Sequence, residues 1–176
     1  MRSAVTLVLG GARSGKSRFA ESLAPAGEMG RVYVATAEPV DDEMADRIAI
    51  HRSRRGSAWR TVEAPIALAQ TIKRESTPRT WLLVDCLSVW LGNLMHHDFD
   101  VGAACEALLE ALAAAPGPVV LVASEVGLGI VPDNAMARAF RDHAGRLNQA
   151  VAEVAGTVFF VAAGLPVTLK RAPSPD

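Results

Sequence analysis

Gly10, Gly15, Lys16 and Ser17 stand in the spacing G-x-x-x-x-G-K-S inside the run LVLGGARSGKS. This is the pattern of a loop that wraps a chain of phosphates. Its glycines let the backbone turn through positive φ and bring successive N–H groups against anionic oxygens. A helix opening at the lysine adds its positive end, the ammonium reaches the outer phosphates, and the serine hydroxyl is a magnesium ligand. Gly11, Ala12, Arg13 and Ser14 supply the rest of the cradle. The run leaves an apolar, β-branched segment and enters a helix-like one, the context the motif requires.

Three further groups have the types that phosphate chemistry uses. Asp85 ends the apolar run WLLVD, where a magnesium-side carboxylate belongs; a helix cap or turn residue is the alternative. Glu125 follows the apolar run PVVLVAS, and Gly127 and Gly129 permit a tight loop into a cleft. It suits a general base for a substrate hydroxyl, an organiser of magnesium-bound water, or the cap of a turn. His51 shares a face with Met44 and Ile48 in a segment that Asp41 or Asp42 can cap, which fits a buried core histidine. Its neighbours favour chemistry, because Arg52, Arg54, Arg55 and Arg60 follow closely. Guanidinium groups bind phosphate bidentately, and positive charge beside a neutral imidazole keeps it a nucleophile and stabilises a highly charged transition state.

These groups need a scaffold that brings separate strand ends together. Residues 4–10, 31–37, 80–86, 118–124 and 157–164 are nearly continuous apolar runs, as strands buried on both faces of a parallel sheet must be. Helix-like stretches cover 16–24, 41–54, 65–75, 87–96, 102–114 and 135–154. The alternation predicts an α/β fold, a mainly parallel sheet flanked by helices, with ligands gathering at the carboxyl ends of the strands. One domain over 1–170 suffices for a chain of 176 residues, and the proline-bearing end, 171–176, reads as a frayed tail.

Composition narrows the partners. A formal net charge of -1 offers no pull toward nucleic acid, and the chain lacks the N-K-x-D string of a guanine-reading GTPase. Cys86 and Cys105 are outside any C-x-x-C arrangement and read as reduced core residues. No apolar run reaches the ~18 residues a bilayer span needs, so the expected location is the cytoplasm. Small-molecule phosphoryl or nucleotidyl transfer remains, against a simple P-loop kinase with a structural His51 or a RecA-like nucleotide-dependent assembly module.

The strings GGARSGKSRFAE, YVATAEPVDDEMADRIAIHRSRR, WRTVEAP, LLVDCLSVWLGNL and SEVGLGIVPDNAMARAFRDHAGRLNQ resemble the bifunctional adenosylcobinamide kinase/adenosylcobinamide-phosphate guanylyltransferase family of cobalamin biosynthesis. The resemblance implies a RecA-like P-loop domain with two reactions. Adenosylcobinamide is phosphorylated on its aminopropanol hydroxyl by ATP or GTP; GTP then donates GMP to that phosphate through a guanylylated histidine, here His51. It also implies nucleotide contacts at Ala35, Thr36, Ala37, Arg52, Ser53, Arg54, Arg55, Glu63 and Asp85, with Asp85 reaching Mg2+ directly or through water. A homotrimer with the corrinoid between subunits is implied as well.

Overall fold

The computed structural model describes residues 4–27, 29–38 and 58–171. Among them run seven strands: β1 (Val5–Gly10), β2 (Gly30–Ala35), β3 (Arg60–Glu63), β4 (Thr80–Asp85), β5 (Val119–Ser124), β6 (Thr157–Ala162) and β7 (Leu165–Arg171). Five helices join them: α1 (Lys16–Ser22), α2 (Leu68–Glu75), α3 (Leu87–His96), α4 (Val101–Ala113) and α5 (Ala135–Val154). The sheet order is β3-β2-β4-β5-β1-β6-β7, parallel throughout except for the β6–β7 pair. The expected helix over 41–54 lies outside the described residues.

The apolar runs are buried on both faces. Val5, Leu7 and Leu9 of β1 point with Val32, Val34, Leu82 and Val84 into a core shared with α2, α3, α4 and α5. Val8, Tyr33, Trp81, Leu83 and Val122 point the other way, against α1. This two-sided burial removes alternation from the sequence and leaves near-continuous apolar strands. With α1 on one face and α5 on the other, a crevice opens at the carboxyl end of β1.

Two strands exceed the five expected. β3 is a four-residue edge strand, RTVE, whose apolar content is too small to signal itself; its Arg60 donates to Glu75 at the end of α2. Arg60 and Arg74 hold the Glu75 carboxyl below the usual range. β7 is exposed along its whole length and tolerates Pro166 because an edge strand need not donate on both sides. It runs through Lys170 and Arg171, so Arg171 belongs to the sheet rather than to the expected tail: Arg171 pairs with Thr157, and Lys170 donates to the carbonyls of Ala152 and Glu153 at 2.9 Å. In β2 the strand stops at Ala35 rather than residue 37, because Thr36 turns into a bond with the next strand's end.

Candidate functional site

The glycine loop closes on contacts that leave no room for a side chain at Gly10. A Cβ on Gly10 would lie 2.5 Å from Ser14 Oγ and 2.6 Å from the Val161 carbonyl oxygen. Gly15 sits at φ 93° and opens α1 with no side-chain cap, so the first helical N–H groups are left for an anion. Arg13 also takes a left-handed conformation, at φ 54°. The Lys16 ammonium donates to the Gly11 carbonyl at 3.1 Å, which holds it folded over the loop. Ser17 follows in the first turn of α1 and Ala12 at the loop's crest, the latter exposed.

A support that sequence reasoning missed comes from β6 and β7. Their turn, Ala163–Gly164, has positive φ at both residues, and the Gly164 N–H donates to the Ser14 carbonyl at 2.8 Å. A Cβ on Gly15 would meet the Gly164 Cα at 3.1 Å. The hairpin tip thus braces the loop from beneath. The signal in the sequence was Ala163-Gly164 between two apolar stretches, a two-residue hairpin pattern.

Sheet register brings the acids together. Ala35 is the lateral partner of Glu63 in β3 and of Asp85 in β4, so all three stand in one row at the carboxyl ends of adjacent strands. Asp85 does not cap α3, whose N-cap residue is Cys86 and which has no side-chain cap. Its Oδ2 instead accepts a hydrogen bond from the Tyr33 hydroxyl at 3.0 Å. Tyr33 is 5 % exposed and packs edge-on against Trp59, which packs in the same way on Trp81. The Cys86 thiol, pushed up to about 11 by burial and by the Asp85 carboxylate, stays protonated at neutral pH.

Thr36 is wholly buried, and its hydroxyl works in both directions: it donates to the Cys86 carbonyl at 2.9 Å and accepts from the Cys86 N–H at 2.8 Å. Asn93 of α3 donates to the carbonyls of Thr36 at 2.8 Å and Pro65 at 3.0 Å. The ends of β2, β4 and the chain after β3 are locked as one unit. Thr36 therefore serves this edge by positioning it, with its hydroxyl already engaged, while Ala37 continues the chain beside it.

Glu125 begins the loop after β5. Its N–H donates to the Gly10 carbonyl at 3.0 Å, and its Oε1 accepts from the Gly127 N–H at 2.6 Å. The turn that its carboxylate closes and its position beside the phosphate loop therefore coexist. His51, Arg52, Ser53, Arg54 and Arg55 lie outside the described residues. Arg138 donates to the carbonyls of Pro132 and Asp133, and Arg141 pairs with Asp142 at 3.4 Å; both serve the surface of α5.

Residues 6–169 match the family model described as cobinamide kinase / cobinamide phosphate guanyltransferase. The chain is 50 % identical over 169 residues to the bifunctional adenosylcobalamin biosynthesis protein CobP of Pseudomonas aeruginosa, covering 95 % of this chain and 98 % of that one. It is 42 % identical to CobU of Escherichia coli, a protein of the same description, over 93 % and 98 % of the two chains. Among solved structures, it resembles an ATPase of a bacterial type III secretion system with TM-score 0.55 at 11 % identity, over 95 % of this chain and 57 % of that one. A protein of Pyrococcus horikoshii OT3 gives TM-score 0.56 at 8 % identity, over 99 % and 90 %. At such identities these two likenesses speak for the P-loop fold alone.

Proposed function

Because the chain belongs to the cobinamide kinase / cobinamide phosphate guanyltransferase family, we propose that it phosphorylates adenosylcobinamide on its aminopropanol hydroxyl with ATP or GTP and then transfers GMP from GTP to give adenosylcobinamide-GDP. The observation that carries this reading is the 50 % identity extending over 95 % of the chain.

In this reading the cradle Gly10–Ser17 holds the triphosphate, with backbone N–H groups and Lys16 spreading the charge of the outer phosphates. Ala35, Thr36, Ala37 and Glu63 border the nucleotide at the row of strand ends. Among the described residues no group of three or more His, Cys, Asp or Glu forms a ready-made cation cage. That suits Mg2+, which keeps several waters and binds through one or two protein oxygens together with substrate phosphates. Ser17 and Asp85 offer such hard oxygens, and the Tyr33 hydroxyl orients the Asp85 carboxylate through Oδ2. When bound, the ion neutralises charge developing on the phosphate oxygens.

For the kinase step, Glu125 takes the proton of the corrinoid hydroxyl as its oxygen attacks the γ-phosphorus and the nucleoside diphosphate leaves. For the second step, an imidazole nitrogen of His51 attacks the α-phosphorus of GTP and pyrophosphate leaves. The phosphate oxygen of adenosylcobinamide phosphate then displaces the imidazole. Arg52, Ser53, Arg54 and Arg55 steady the charged phosphoryl group. A homotrimer fits the exposed apolar strip Leu165, Val167 and Leu169 on β7, and sizing in solution tests it. No described helix is long and apolar enough to cross a membrane; we assign the enzyme to the cytoplasm because both nucleoside triphosphates are supplied there.

The decisive experiment uses Mg2+ and GTP labelled at the α-phosphate, followed by denaturation. Label should stay on the wild type, leave in acid but not alkali as a phosphoramidate does, and be absent from His51→Ala. If neither protein is labelled while γ-phosphate reaches cobinamide, the guanylyl-histidine is excluded and a simple kinase remains. A smaller effect tests Asp85: Tyr33→Phe keeps the aromatic packing and removes one bond to a charged acceptor. The Mg2+ concentration for half-maximal rate should rise about threefold to tenfold, while the melting temperature moves by only a few degrees. An unchanged Mg2+ dependence would remove Tyr33 from the site.

A further inference from the structure

Between α3 and α5 runs a groove of about 480 Å³, within the size range of small-molecule sites. Gly92, Met95 and His96 form one wall, and Met136, Ala137 and Phe140 the other. No Asp, Glu, Lys or Arg lines it, so it is no second site for a nucleotide. Two thioethers and a phenyl ring offer polarisable, adaptable surface of the kind that suits a flat conjugated ligand. Gly92 keeps the wall low: a Cβ there would already touch Phe140 Cε2 at 3.9 Å.

The groove opens at the same sheet edge as the phosphate loop. α3 starts directly after Asp85 and Cys86, and its far end is held over β2, where His97 Nε2 meets Glu38 Oε2 at 3.2 Å. The first turn of α5 is reached from Glu125, whose N–H is bonded to Gly10, through a loop bearing Leu128, Ile130 and Val131. These three side chains are 82 %, 97 % and 61 % exposed, and Met136 in the groove wall is 74 % exposed. The loop is not a frayed end, since Arg138 donates to the carbonyls of Pro132 and Asp133, and Asn134 caps α5 by accepting from the Ala137 N–H at 2.8 Å. Large apolar side chains held out in sequence, beginning next to a phosphate site, mark a surface built to be covered.

We propose that this groove and the adjoining Leu128–Val131 loop seat the corrin ring of adenosylcobinamide, its aminopropanol arm following the loop back to Glu125 and the glycine cradle. The inference rests on the function proposed above and assigns the place of its large substrate. A corrin is broad, flat and rich in methyl and methylene groups, with amides at its rim. The groove takes one edge of it, the exposed loop residues lie against a face, and the exposed His96 ring is available to rim amides.

Gly92→Trp and Ala137→Trp fill the groove from opposite walls on helical backbone, and Gly145→Ala, a helix-favouring change farther along α5 where nothing lies within 4 Å of the Cβ position, serves as the control for folding. Both tryptophan variants should raise KM for adenosylcobinamide about tenfold or more in phosphate transfer. KM for GTP, the corrinoid-independent labelling of the enzyme by GTP and the elution volume should match the wild type, as should all properties of Gly145→Ala. If the wild type acts on cobinamide and both tryptophan variants keep its KM, the site is overturned and the function stands. If the variants change elution volume and lose GTP labelling together, the groove is a contact between copies and the site is again overturned. A wild type that never acts on cobinamide overturns the function and this site with it.

Discussion

Lys16→Ala should lower kcat/KM for phosphoryl and guanylyl transfer by about 10²–10³, the loss expected when one charged donor to a developing anion is removed. The ammonium is already folded over the loop on the Gly11 carbonyl, so its position is prearranged and little reorganisation precedes the reaction. Both steps should suffer, because the γ-phosphoryl group in one and the departing pyrophosphate in the other occupy the same cradle. Stability should barely change, since among the described residues the bond lost is one to a loop carbonyl at a part-buried site. Steady-state rates with cobinamide and with its phosphate measure the effect. Thermal melts supply a second reading: saturating GTP raises the melting temperature of the wild type, and the rise should shrink in the variant. Rates within tenfold of wild type would detach Lys16 from the chemistry.

Gly10→Ala should damage both fold and binding. The new methyl group would overlap the Ser14 hydroxyl and the Val161 carbonyl. Ser14 can rotate away, but the carbonyl belongs to β6, the neighbour that pairs Val161 with Gly10. Either β1 and β6 part or the loop rises, and overpacking of this kind costs about 1–3 kcal/mol. Because the loop's N–H groups move with it, affinity for GTP should also fall by about tenfold or more. Gly11→Ala is the contrast: nothing lies within 4 Å of its Cβ position, so stability should stay near wild type. Urea unfolding and GTP titration of the two variants separate the cases, and equal behaviour would mean that the close packing at Gly10 is unimportant.

The phosphate loop, the five apolar strands and the places of Asp85 and Glu125 at strand ends were legible in the sequence because each is written locally. Glycine spacing and continuous apolarity need no knowledge of what lies across the sheet. The helix limits of α3, α4 and α5 also agree with expectation to within a residue. His51, Arg52, Arg54 and Arg55 are read from sequence and family, whereas Arg60, which follows them, is paired with Glu75.

The rest depended on contacts between distant segments. β3 and β7 are edge strands whose short or polar sequences become strands only because a neighbour presents free hydrogen-bonding groups. Asp85 was ambiguous in sequence between a metal ligand and a helix cap or turn residue; α3 has no side-chain cap, and the Tyr33 hydroxyl, 52 residues away, orients the carboxylate. The Thr36 hydroxyl is engaged with the backbone of Cys86, 50 residues away, and so braces two strand ends. The Gly164 support beneath Ser14 and the groove between α3 and α5 likewise join segments far apart in the chain. The sequence by itself determined where residue types suited to phosphate chemistry stand, and that Gly10, Asp85 and Glu125 fall at the ends of buried parallel strands. Only the tertiary structure decided which acids stand in one row, what braces the glycine loop and where an apolar surface adjoins it. Parallel register and helix packing are set by long-range burial, and no local pattern encodes which distant side chains will meet.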